Sequence, residues 1–346
     1  MSPLADRPRQ AVLLVGGRGT RMWPLTHDSP KALLPLAGVP FVEYQLRQLA
    51  GVGVEEVVLA VGRHLLERWE EYVAVPRAGI DLRLAVEDTP LDTAGPVRAV
   101  LDSLEDRFLV LNGDVVVEAD LGRVVDAAGP ATLGLVEVED TSAYGVVVTD
   151  DSGRVQRFVE KPPPSEAPAR TVNAGMYALE RSVFERYPVG PLSFERTVFP
   201  DLASAGLLGA VILEGQWIDI GTPDLYLAAH DAVHAGATAL HRPERAHDHP
   251  AGRGAWSFVG EGARVASTAV VEEAVILSGA EIAAGAVVHR AVIGTAAVVG
   301  EEAIVTGAAM VGPGAVVGSG CELDRGVRIA PATVLAPGSV SFSPPK

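Results

Sequence analysis

Cysteine is almost absent from this sequence: Cys321 is the only one, so the chain can form no internal disulfide bond. Long apolar runs are absent too. The run Val57–Val61 is among the longest, whereas a helix that spans a bilayer needs ~18 apolar residues. The first residues contain no apolar stretch of the kind that a secretory signal has. These absences argue against a disulfide-stapled or membrane-spanning protein, and we expect a cytoplasmic one.

Positive charge is scarce as well. The formal net charge is −16, and Lys31, Lys161 and Lys346 are the only lysines among 28 basic residues. Because nucleic-acid binding needs clustered lysine and arginine, no nucleic-acid partner is expected. Lysine is a compact point charge and arginine a planar fork, so the two are not interchangeable. The two internal lysines are therefore candidate functional residues.

The most informative string joins an apolar run to a glycine-rich loop. Leu13–Val15 is followed by Gly16–Arg21 (GGRGTR), and Lys31 follows soon after. Glycines let backbone N–H groups approach phosphate oxygens, and fixed cations such as Arg21 and Lys31 neutralise charge on a transferring group. The loop matches neither the dinucleotide-binding fingerprint nor the P-loop. It predicts a site for a nucleoside triphosphate attacked at its α-phosphorus. The candidate nucleotide-binding residues of the loop are Val15, Gly16, Gly17, Gly19 and Thr20.

Residues 10 to about 225 alternate β-rich runs with helical patterns. Buried strands are predicted at Ala11–Val15, Glu56–Val61, Leu82–Val86 and Phe108–Leu111. Helical spacing of apolar residues predicts helices at Val42–Ala50, His64–Tyr72 and Thr93–Leu104. This alternation predicts an α/β, Rossmann-like domain with a mostly parallel, mixed sheet and helices on both faces. Ligands of such sheets bind beyond the carboxyl ends of the strands.

Further strands follow without long helices between them, and we interpret them as a second, partly antiparallel layer. They are predicted at Thr132–Val138, Tyr144–Thr149, Val155–Glu160 and Val172–Leu179. Ser193–Ala205 and Pro223–Gly236 are predicted helices, and a polar, proline-bounded stretch follows. The predicted organisation is a catalytic domain at 1–236, a linker at 237–254 and a repeat domain at 255–346.

Aliphatic residues recur every six positions in the repeat domain, with two one-residue slips. The predicted anchors are Val259, Val265, Val271, Leu277, Ile282, Val288, Ile293, Val299, Val305, Val311, Val317, Leu323, Ile329 and Leu335. A small or β-branched residue stands four positions after each anchor up to Ile329, with Glu281 as the exception. This period predicts a parallel β-helix whose anchors fill the interior. Such a solenoid exposes flat faces and edges, so a homo-oligomer through the β-helix is expected.

These strings resemble the signatures of the nucleotide-sugar pyrophosphorylases, the sugar-1-phosphate nucleotidylyltransferases. The resemblance covers nearly the whole chain. Met22–Leu25 (MWPL) is most similar to mannose-1-phosphate guanylyltransferases, and the mannose and glucose members include proteins with a left-handed β-helix tail. The resemblance implies that a nucleoside triphosphate and a sugar 1-phosphate react to give a nucleoside diphosphate sugar and pyrophosphate, with Mg²⁺ as cofactor.

The resemblance also implies where the nucleotide and the metal bind. Leu91–Pro96 (LDTAGP) is similar to the family's base-contacting Leu-Gly-Thr-Ala-Gly string, with Asp92 in place of the glycine. Asp114 and Asp219 stand where the family holds its metal, and two carboxylates plus phosphate oxygens suit Mg²⁺. The nucleotide-binding residues implied by these strings are Thr93, Ala94, Gly95, Asn112 and Gly113.

The sugar phosphate has its own implied residues. Glu160 and Lys161 match the family's Glu-Lys-Pro string, in which the carboxylate accepts hydrogen bonds from sugar hydroxyls and the lysine holds the phosphate. The other implied sugar-phosphate contacts are Tyr144, Gly145, Asn173 and Gly175. In the implied mechanism Arg21 contacts the departing pyrophosphate, Lys31 stabilises the α-phosphorus and Lys161 aims the nucleophile. The attacking phosphate is largely dianionic at neutral pH, so no general base is needed.

Several substrates and two further functions stay open. The resemblance of Met22–Leu25 to mannose-1-phosphate guanylyltransferases favours GTP with mannose 1-phosphate. A carboxylate near the base, Glu87 or Asp88, is the candidate acceptor for guanine N1–H and N2–H₂. Glucose 1-phosphate or a sugar-like, valienol-type cyclitol phosphate could replace mannose 1-phosphate, since Asp92 departs from the family's string. The chain could also be a non-catalytic regulatory paralogue, or a β-helix acyltransferase with His289 as base.

Overall fold

The computed structural model describes residues 7–236 and 256–341. By its internal contacts the chain divides into two compact units. We call Met1–Gly17 with Val42–Ile218 the sheet unit, and Arg18–Phe41 with Asp219–Lys346 the β-helix unit. The segment Arg18–Phe41 lies early in the predicted catalytic domain. Its internal contacts nevertheless group it with Asp219–Lys346. The predicted domain boundaries stay a prediction, and the linker at 237–254 lies outside the described residues.

The strands up to residue 219 are mostly short. They are β1 (Gln10–Leu14), β2 (Pro35–Leu36), β3 (Val39–Pro40), β4 (Glu56–Gly62), β5 (Asp81–Glu87), β6 (Arg107–Asn112), β7 (Val115–Val117), β8 (Ala131–Glu137), β9 (Gly145–Thr149), β10 (Val155–Glu160), β11 (Thr171–Glu180), β12 (Leu208–Ile212) and β13 (Trp217–Asp219). The α-helices are α1 (Phe41–Gly51), α2 (Leu66–Val73), α3 (Gly95–Val100), α4 (Gly122–Val125), α5 (Phe199–Ser204) and α6 (Pro223–His234).

Short turns of other helical types connect these elements. The 3₁₀ turns are Thr20–Met22, Leu25–His27, Lys31–Leu33, Arg63–Leu65, Leu101–Ser103, Pro164–Glu166 and Arg181–Phe184, and Phe194–Val198 is a π-helical turn that leads into α5. The predicted helix at Thr93–Leu104 is therefore α3 followed by a 3₁₀ turn, and the one at His64–Tyr72 is a 3₁₀ turn followed by α2.

A nine-stranded mixed sheet forms the centre of the sheet unit. Its order is β10-β9-β11-β6-β1-β4-β5, with β8 paired to β11 and β12 paired to β8. β6, β1, β4 and β5 are parallel, as the strand–helix alternation predicted. Ala11–Leu13 and Val57–Val61 are buried along their whole length. Burial of successive residues means that both faces of these strands are covered, as in α/β proteins, so the predicted Rossmann-like α/β fold is confirmed.

The predicted second layer is wrong. The strands after β6 extend the same sheet, because Met176–Glu180 of β11 pairs antiparallel with Arg107–Leu111 of β6. β11, which has ten residues, also pairs with β8 and β9, and the β11–β8 pair has a register shift between Asn173 and Tyr177. Strand–strand connections without intervening helices produce antiparallel pairs, and these pairs added strands to the sheet edge.

The packing of α1 follows from the spacing of its apolar residues, and the start of α6 follows from an N-cap. Val42, Leu46 and Leu49 of α1 follow helical spacing and are fully buried. Thr222 is the N-cap of α6, and its hydroxyl accepts a hydrogen bond from Leu225 N at 3.3 Å. Pro223 occupies the first helical position. Among the described residues, no helix has the length and apolar character that a bilayer crossing needs.

Residues 256–341 form a parallel β-helix with three sheets. Its strands are β14 (Ser257–Val259), β15 (Arg264–Val265), β16 (Val270–Glu272), β17 (Ala274–Ile276), β18 (Glu281–Ile282), β19 (Val287–His289), β20 (Val292–Ile293), β21 (Val298–Val299), β22 (Ile304–Val305), β23 (Met310–Val311), β24 (Val316–Val317), β25 (Glu322–Leu323) and β26 (Arg328–Ile329). The sheets are β14-β17-β20-β23-β26, β15-β18-β21-β24 and β16-β19-β22-β25. The predicted hexapeptide β-helix is confirmed, and the architecture is consistent with the left-handed form.

One predicted anchor is wrong by a single residue. Ile276, and not Leu277, pairs with Val259 and with Ile293 and belongs to the interior core. The first slip therefore falls before position 276. The small interior residue that follows is then Ala280, which is fully buried, so the apparent exception at Glu281 disappears.

The two slips are shortened corners of successive coils. Glu273 and Arg290 occupy these corners with φ of 47° and 46°. Arg290 Nη1 donates to Glu273 Oε2 at 2.8 Å, which ties the two corners together. Sequence spacing does not show at which corner a residue is missing, because Ile276 and Leu277 are both aliphatic.

A buried histidine lies within the β-helix unit, on α6. His230 is 2% exposed, and its ring stacks on Trp256 at 5.4 Å with 12° between the planes. Burial lowers its pKa to about 3 from the usual 6.5, so the folded state holds the ring neutral at neutral pH. The unfolded chain takes up a proton at this residue as the pH falls below about 6.5.

We therefore expect His230 to weaken the protein in acid. The contribution of neutral His230 to the free energy of unfolding is fully present above about pH 6.5 and is lost as the pH falls towards 3. The free energy of unfolding falls by at most about 1.4 kcal/mol per pH unit because of this group. His230→Gln removes that term, so its melting temperature should fall less than that of the wild type between about pH 7.5 and pH 5. His27→Gln, at an exposed position, is the matched control. An equal fall in His230→Gln and wild type would contradict the assignment.

Candidate nucleotidyl transfer site

At two positions beside the strand ends of the sheet unit, the surrounding atoms leave room only for glycine. A Cβ at Gly16 would lie 2.8 Å from Glu87 Oε1, and one at Gly113 would lie 2.3 Å from Val15 Cγ1. Gly113 N donates to Leu14 O at 3.0 Å. The predicted nucleotide residues at the carboxyl ends of β1, β5 and β6 are thus brought together, as the parallel sheet requires.

The two acidic residues proposed to recognise guanine have different environments. Glu87 is half-buried beside Gly16, and its Oε2 accepts a hydrogen bond from Leu91 N at 3.1 Å. Burial raises the pKa of Glu87, and that hydrogen bond opposes the rise. Asp88 is exposed and paired with Arg63. Glu87 is therefore the carboxylate that lies at the glycine loop.

The substitution of aspartate for the family's glycine at Asp92 has a structural explanation. Asp92 has φ of 65°, the left-handed region in which glycine carries no steric cost. Aspartate is one of the few other residues that tolerate this region. Its side chain accepts a hydrogen bond from Thr93 N at 2.9 Å and forms an ion pair with Arg196. Local bonding thus stabilises a backbone conformation that glycine would adopt freely.

Thr93 and Gly95 hold this turn against the segment that contains the π-helical turn. Thr93 bonds to the π-helical turn itself, and Gly95 lies against Gly190 before it. Thr93 Oγ1 donates to Glu195 Oε2 at 2.7 Å and accepts from Phe194 N at 2.9 Å. A Cβ at Gly95 would lie 2.6 Å from the Gly190 carbonyl oxygen. Ala94 is fully buried. The base-contacting segment implied by the resemblance is therefore a fixed turn.

Gln45 holds the Asn112–Asp114 turn, and sequence analysis missed it. Its side chain is fully buried on α1, and Nε2 donates to Asn112 O at 2.7 Å and to Val115 O at 2.8 Å. These two carbonyls flank Asp114. A polar residue on an otherwise apolar helix face was the signal that could have found it, because buried amides are rarely left unbonded.

The residues implied for the sugar phosphate also meet within the sheet unit. Gly145 and Glu160 are partners in the β9–β10 pair, and a Cβ at Gly145 would lie 3.0 Å from Glu160 Oε2. Lys161 N donates to Tyr144 O at 3.1 Å, and the Lys161 side chain pairs with Glu160. Lys161 has φ of 43°. A non-glycine residue in this region is a form of strain that clusters at functional sites.

Asn173 and Gly175 lie on β11, next to the Asn112 side chain. Asn173 Oδ1 accepts from Gly175 N at 3.0 Å, and its amide donates to Tyr177 Oη at 2.9 Å. A Cβ at Gly175 would lie 2.8 Å from Asn112 Nδ2. Burial raises the pKa of Tyr177, so its hydroxyl stays protonated. Residues assigned to the nucleotide and to the sugar thus share one hydrogen-bonded region.

Trp217 is a second residue near these side chains that sequence analysis did not identify. Its ring contacts Tyr144 edge-on, with 4.7 Å between ring centroids. Trp217 begins β13, which ends at Asp219 and pairs with β7, and β7 begins directly after Asp114.

The remaining charged candidates belong to the β-helix unit. A Cβ at Gly19 would lie 2.9 Å from Thr26 Cγ2 and 3.3 Å from Lys31 Cβ, and Thr26 Oγ1 donates to Gly19 O. A Cβ at Gly221 would lie 3.0 Å from Arg21 Nη2 and 2.8 Å from Asp219 Oδ1. Arg21 and Asp219 thus approach the same small residue, and the loop places Lys31 against Gly19.

The carboxylates implied as Mg²⁺ ligands are Asp114, in the sheet unit, and Asp219, in the β-helix unit. In the described part of the chain, no three His, Cys, Asp or Glu side chains group as a metal site. Mg²⁺ usually takes one or two carboxylates and completes its shell with water and phosphate oxygens. Asp114 and Asp219 supply that number of carboxylates.

The sequence matches the family described as "Nucleotidyl transferase" over residues 10–236, which is most of the chain. The chain belongs to the nucleotidyl transferase family. Residues 252–308 match a second family, described as "GlmU-like, C-terminal hexapeptide". Both matches agree with the sheet and the β-helix described above.

Curated relatives of this nucleotidyl transferase carry related names. It is 38% identical over 232 residues to "Probable mannose-1-phosphate guanylyltransferase 2" of Arabidopsis thaliana, covering 63% of each chain. It is 38% identical over 229 residues to "Mannose-1-phosphate guanylyltransferase" of Mycobacterium tuberculosis, covering 64% of this chain and 63% of the relative. The match therefore spans less than two thirds of the length of these relatives.

A solved structure shares the fold of the nucleotidyl transferase region. HddC from Yersinia pseudotuberculosis is 27% identical, with a TM-score of 0.58, and the match covers 65% of this chain and 99% of HddC. A second HddC structure, complexed with GMP-PN, is 28% identical with a TM-score of 0.57.

The Asp92 turn yields a stability prediction. Asp92→Ala keeps the Cβ in the left-handed region and loses the side-chain bonds, so we expect it to lose about 1–2 kcal/mol relative to Asp92→Gly, which removes the backbone strain. Chemical unfolding of both variants measures the difference. Arg196→Ala, which removes only an exposed ion pair, should cost less than about 1 kcal/mol. Equal stability of the two Asp92 variants would argue against strain at this turn.

Proposed function

We propose that this protein transfers a nucleotidyl group from GTP to mannose 1-phosphate, giving GDP-mannose and pyrophosphate. The main support for nucleotidyl transfer is the family match over residues 10–236. All three proposed catalytic cations lie within the matched residues. Those cations are Arg21, Lys31 and Lys161. The names of the relatives support guanine and mannose, and the HddC complex with GMP-PN is in keeping with a guanine nucleotide.

The proposed chemistry is an in-line displacement at the α-phosphorus. A phosphate oxygen of the sugar phosphate forms the new P–O bond, the bond to the β-phosphate bridge breaks, and pyrophosphate leaves. The nucleophile is already largely dianionic at neutral pH, so no side chain needs to remove a proton. Catalysis then rests on positioning and on charge compensation.

Each proposed residue has one role in that step. Lys161 holds the attacking phosphate, and Glu160 accepts hydrogen bonds from sugar hydroxyls. Lys31 stabilises charge at the α-phosphorus and Arg21 binds the leaving pyrophosphate. The neighbouring substrate contacts are those from Tyr144, Gly145, Asn173 and Gly175.

We propose that Asp114 and Asp219 hold Mg²⁺, which would neutralise phosphate charge when bound. The nucleotide itself lies against the glycine loop and the Asp92–Gly95 turn in this proposal. Backbone N–H groups of the loop bind the phosphates, and Thr93 to Gly95 contact the base.

Substrate choice is tested by steady-state kinetics across nucleoside triphosphates and sugar 1-phosphates with Mg²⁺. Pyrophosphate release and chromatography of the nucleotide sugar give kcat/KM for each pair. We expect GTP with mannose 1-phosphate to exceed other pairs by roughly tenfold or more. Equal use of GTP and dTTP would defeat the guanine assignment. Preference for glucose 1-phosphate or a cyclitol phosphate would change the acceptor but keep the reaction.

Glu87 supplies a sharper test of guanine recognition. A half-buried carboxylate can accept from both N1–H and N2–H₂ of guanine, and adenine lacks these donors. We expect Glu87→Gln to lower the ratio of kcat/KM for GTP over ATP by roughly 10- to 100-fold, because a hydrogen bond to a charged group contributes about 1.5–3 kcal/mol. The control is Asp88→Asn, the same chemical change at the neighbouring exposed residue, which should leave the ratio nearly constant. A larger effect at Asp88 would reverse the assignment.

A homo-oligomer through the β-helix, and a cytoplasmic location, stay predictions. The parallel strands of the β-helix present flat faces with exposed apolar side chains such as Ile304, and such faces favour self-association. Light scattering on the purified protein measures the oligomeric state.

A further inference from the structure

The loop that carries Arg21 and Lys31 is fastened to the β-helix unit, although it lies near the N-terminus. After Lys31, the chain forms the hairpin of β2 and β3, with Pro35 opposite Pro40 and Leu36 opposite Val39. Ala37 and Gly38 form its tip with φ of 48° and 89°. We call Pro35–Pro40 the support hairpin.

Two side chains of α6 bind one carbonyl of the support hairpin. Tyr226 Oη donates to Pro35 O, and His230 Nε2 lies 3.2 Å from the same oxygen. Both side chains are buried. The low pKa of His230 keeps the ring neutral, and a neutral ring with its proton on Nε2 donates to that carbonyl.

The first coil of the β-helix closes on the tip of the support hairpin. A Cβ at Gly38 would lie 3.1 Å from Phe258 Cε2. The His230 ring lies between Trp256 and Phe258, with centroids 5.4 and 6.0 Å away. Trp256 Nε1 in turn donates to Asp231 of α6, and Arg290 of the next coil also reaches Asp231. The α6 residues are therefore fixed from the β-helix side.

Lys31 is one 3₁₀ turn away from the carbonyl that these side chains bind. Leu34 N donates to Lys31 O at 3.0 Å, and Phe41 N donates to Leu34 O at 3.0 Å. Ala32 and Leu34 are buried. A movement of Pro35 is therefore transmitted to the Lys31 backbone through a short, hydrogen-bonded segment.

We propose that Tyr226 and His230 are positioning residues for Lys31, and that the β-helix contributes to catalysis by holding the support hairpin. This inference rests on the proposed function for the role of Lys31. Loss of either donor leaves Pro35 O with one bond, so Lys31 shifts from the position that the transition state requires. Misplacement of a catalytic group by ~1 Å is enough to cost up to about 100-fold in rate.

The variants are His230→Leu and Tyr226→Phe, which lose the donor, and His230→Gln, which keeps an N–H at a similar distance. We expect kcat to fall roughly tenfold in the first two, with KM for the sugar phosphate nearly unchanged, and His230→Gln to restore most of it. Tyr72→Phe is the matched control, because it deletes a buried hydroxyl that donates to Glu43 in the sheet unit. It should leave kcat unchanged.

A double-mutant cycle separates positioning from general destabilisation. In the Lys31→Ala background, His230→Leu should cause no further loss of kcat, because the group that it positions is gone. An equal loss in both backgrounds, or an unchanged kcat in His230→Leu, would overturn the proposal.

Hydrogen exchange supplies a readout that does not depend on the reaction. Amides of residues 31–34 and of Leu36 should exchange faster in His230→Leu and Tyr226→Phe than in the wild type, and those of β4 should not. Unchanged exchange at residues 31–34 and Leu36 would overturn positioning even if activity fell. An inactive wild type with faster exchange in these variants would instead reject the proposed function and retain the structural link.

Discussion

The carboxyl ends of the parallel strands lie so close together that no side chain fits at Gly16, which faces the ends of β4 and β5, or at Gly113, which faces the end of β1. This constraint brings the glycine loop next to Glu87 and the Asn112–Asp114 turn in the sheet unit. Because a Cβ would meet backbone as well as side-chain atoms there, the strands would have to separate to accept one. The buried amide of Gln45 bonds to both sides of the Asp114 turn. Close backbone approach and one buried polar side chain thus position Glu87, Asn112, Gly113 and Asp114 within the sheet unit.

The candidate residues are distributed over both units. The sheet unit holds Gly16, Gly17, Glu87, the Thr93 turn, Asp114 and the Glu160–Lys161 pair, which we propose bind the nucleotide, Mg²⁺ and the sugar phosphate. The β-helix unit holds Gly19, Arg21, Lys31 and Asp219, which we propose contact the triphosphate and Mg²⁺. At a net charge of −16, an acidic surface offers phosphate few sites that compete with Arg21 and Lys31.

Much of this could be predicted from the sequence, and the failures have physical causes. Local periodicity located the parallel strands, α1 and the β-helix, because strand and coil patterns repeat at short range. Sheet membership was missed, since the pairing of β11 with β6 joins residues far apart in sequence. The anchor at Ile276 was displaced because two aliphatic residues stand side by side. Gln45 was missed because a buried amide and an exposed one look alike in sequence. Asp92 was noticed as a departure, but only its φ explains it.

The hydrogen bonds to Pro35 O join positions 191 and 195 residues apart. Contacts of such long range cost loop-closure entropy, which the buried hydrogen bonds and stacked rings around His230 offset. The segment that carries Lys31 is therefore held in place by α6 and by the first β-helix coil. Rigid stacked coils then provide a support that a surface loop cannot provide for itself. A β-helix placed after the catalytic region in sequence can in this way act on a loop placed before it.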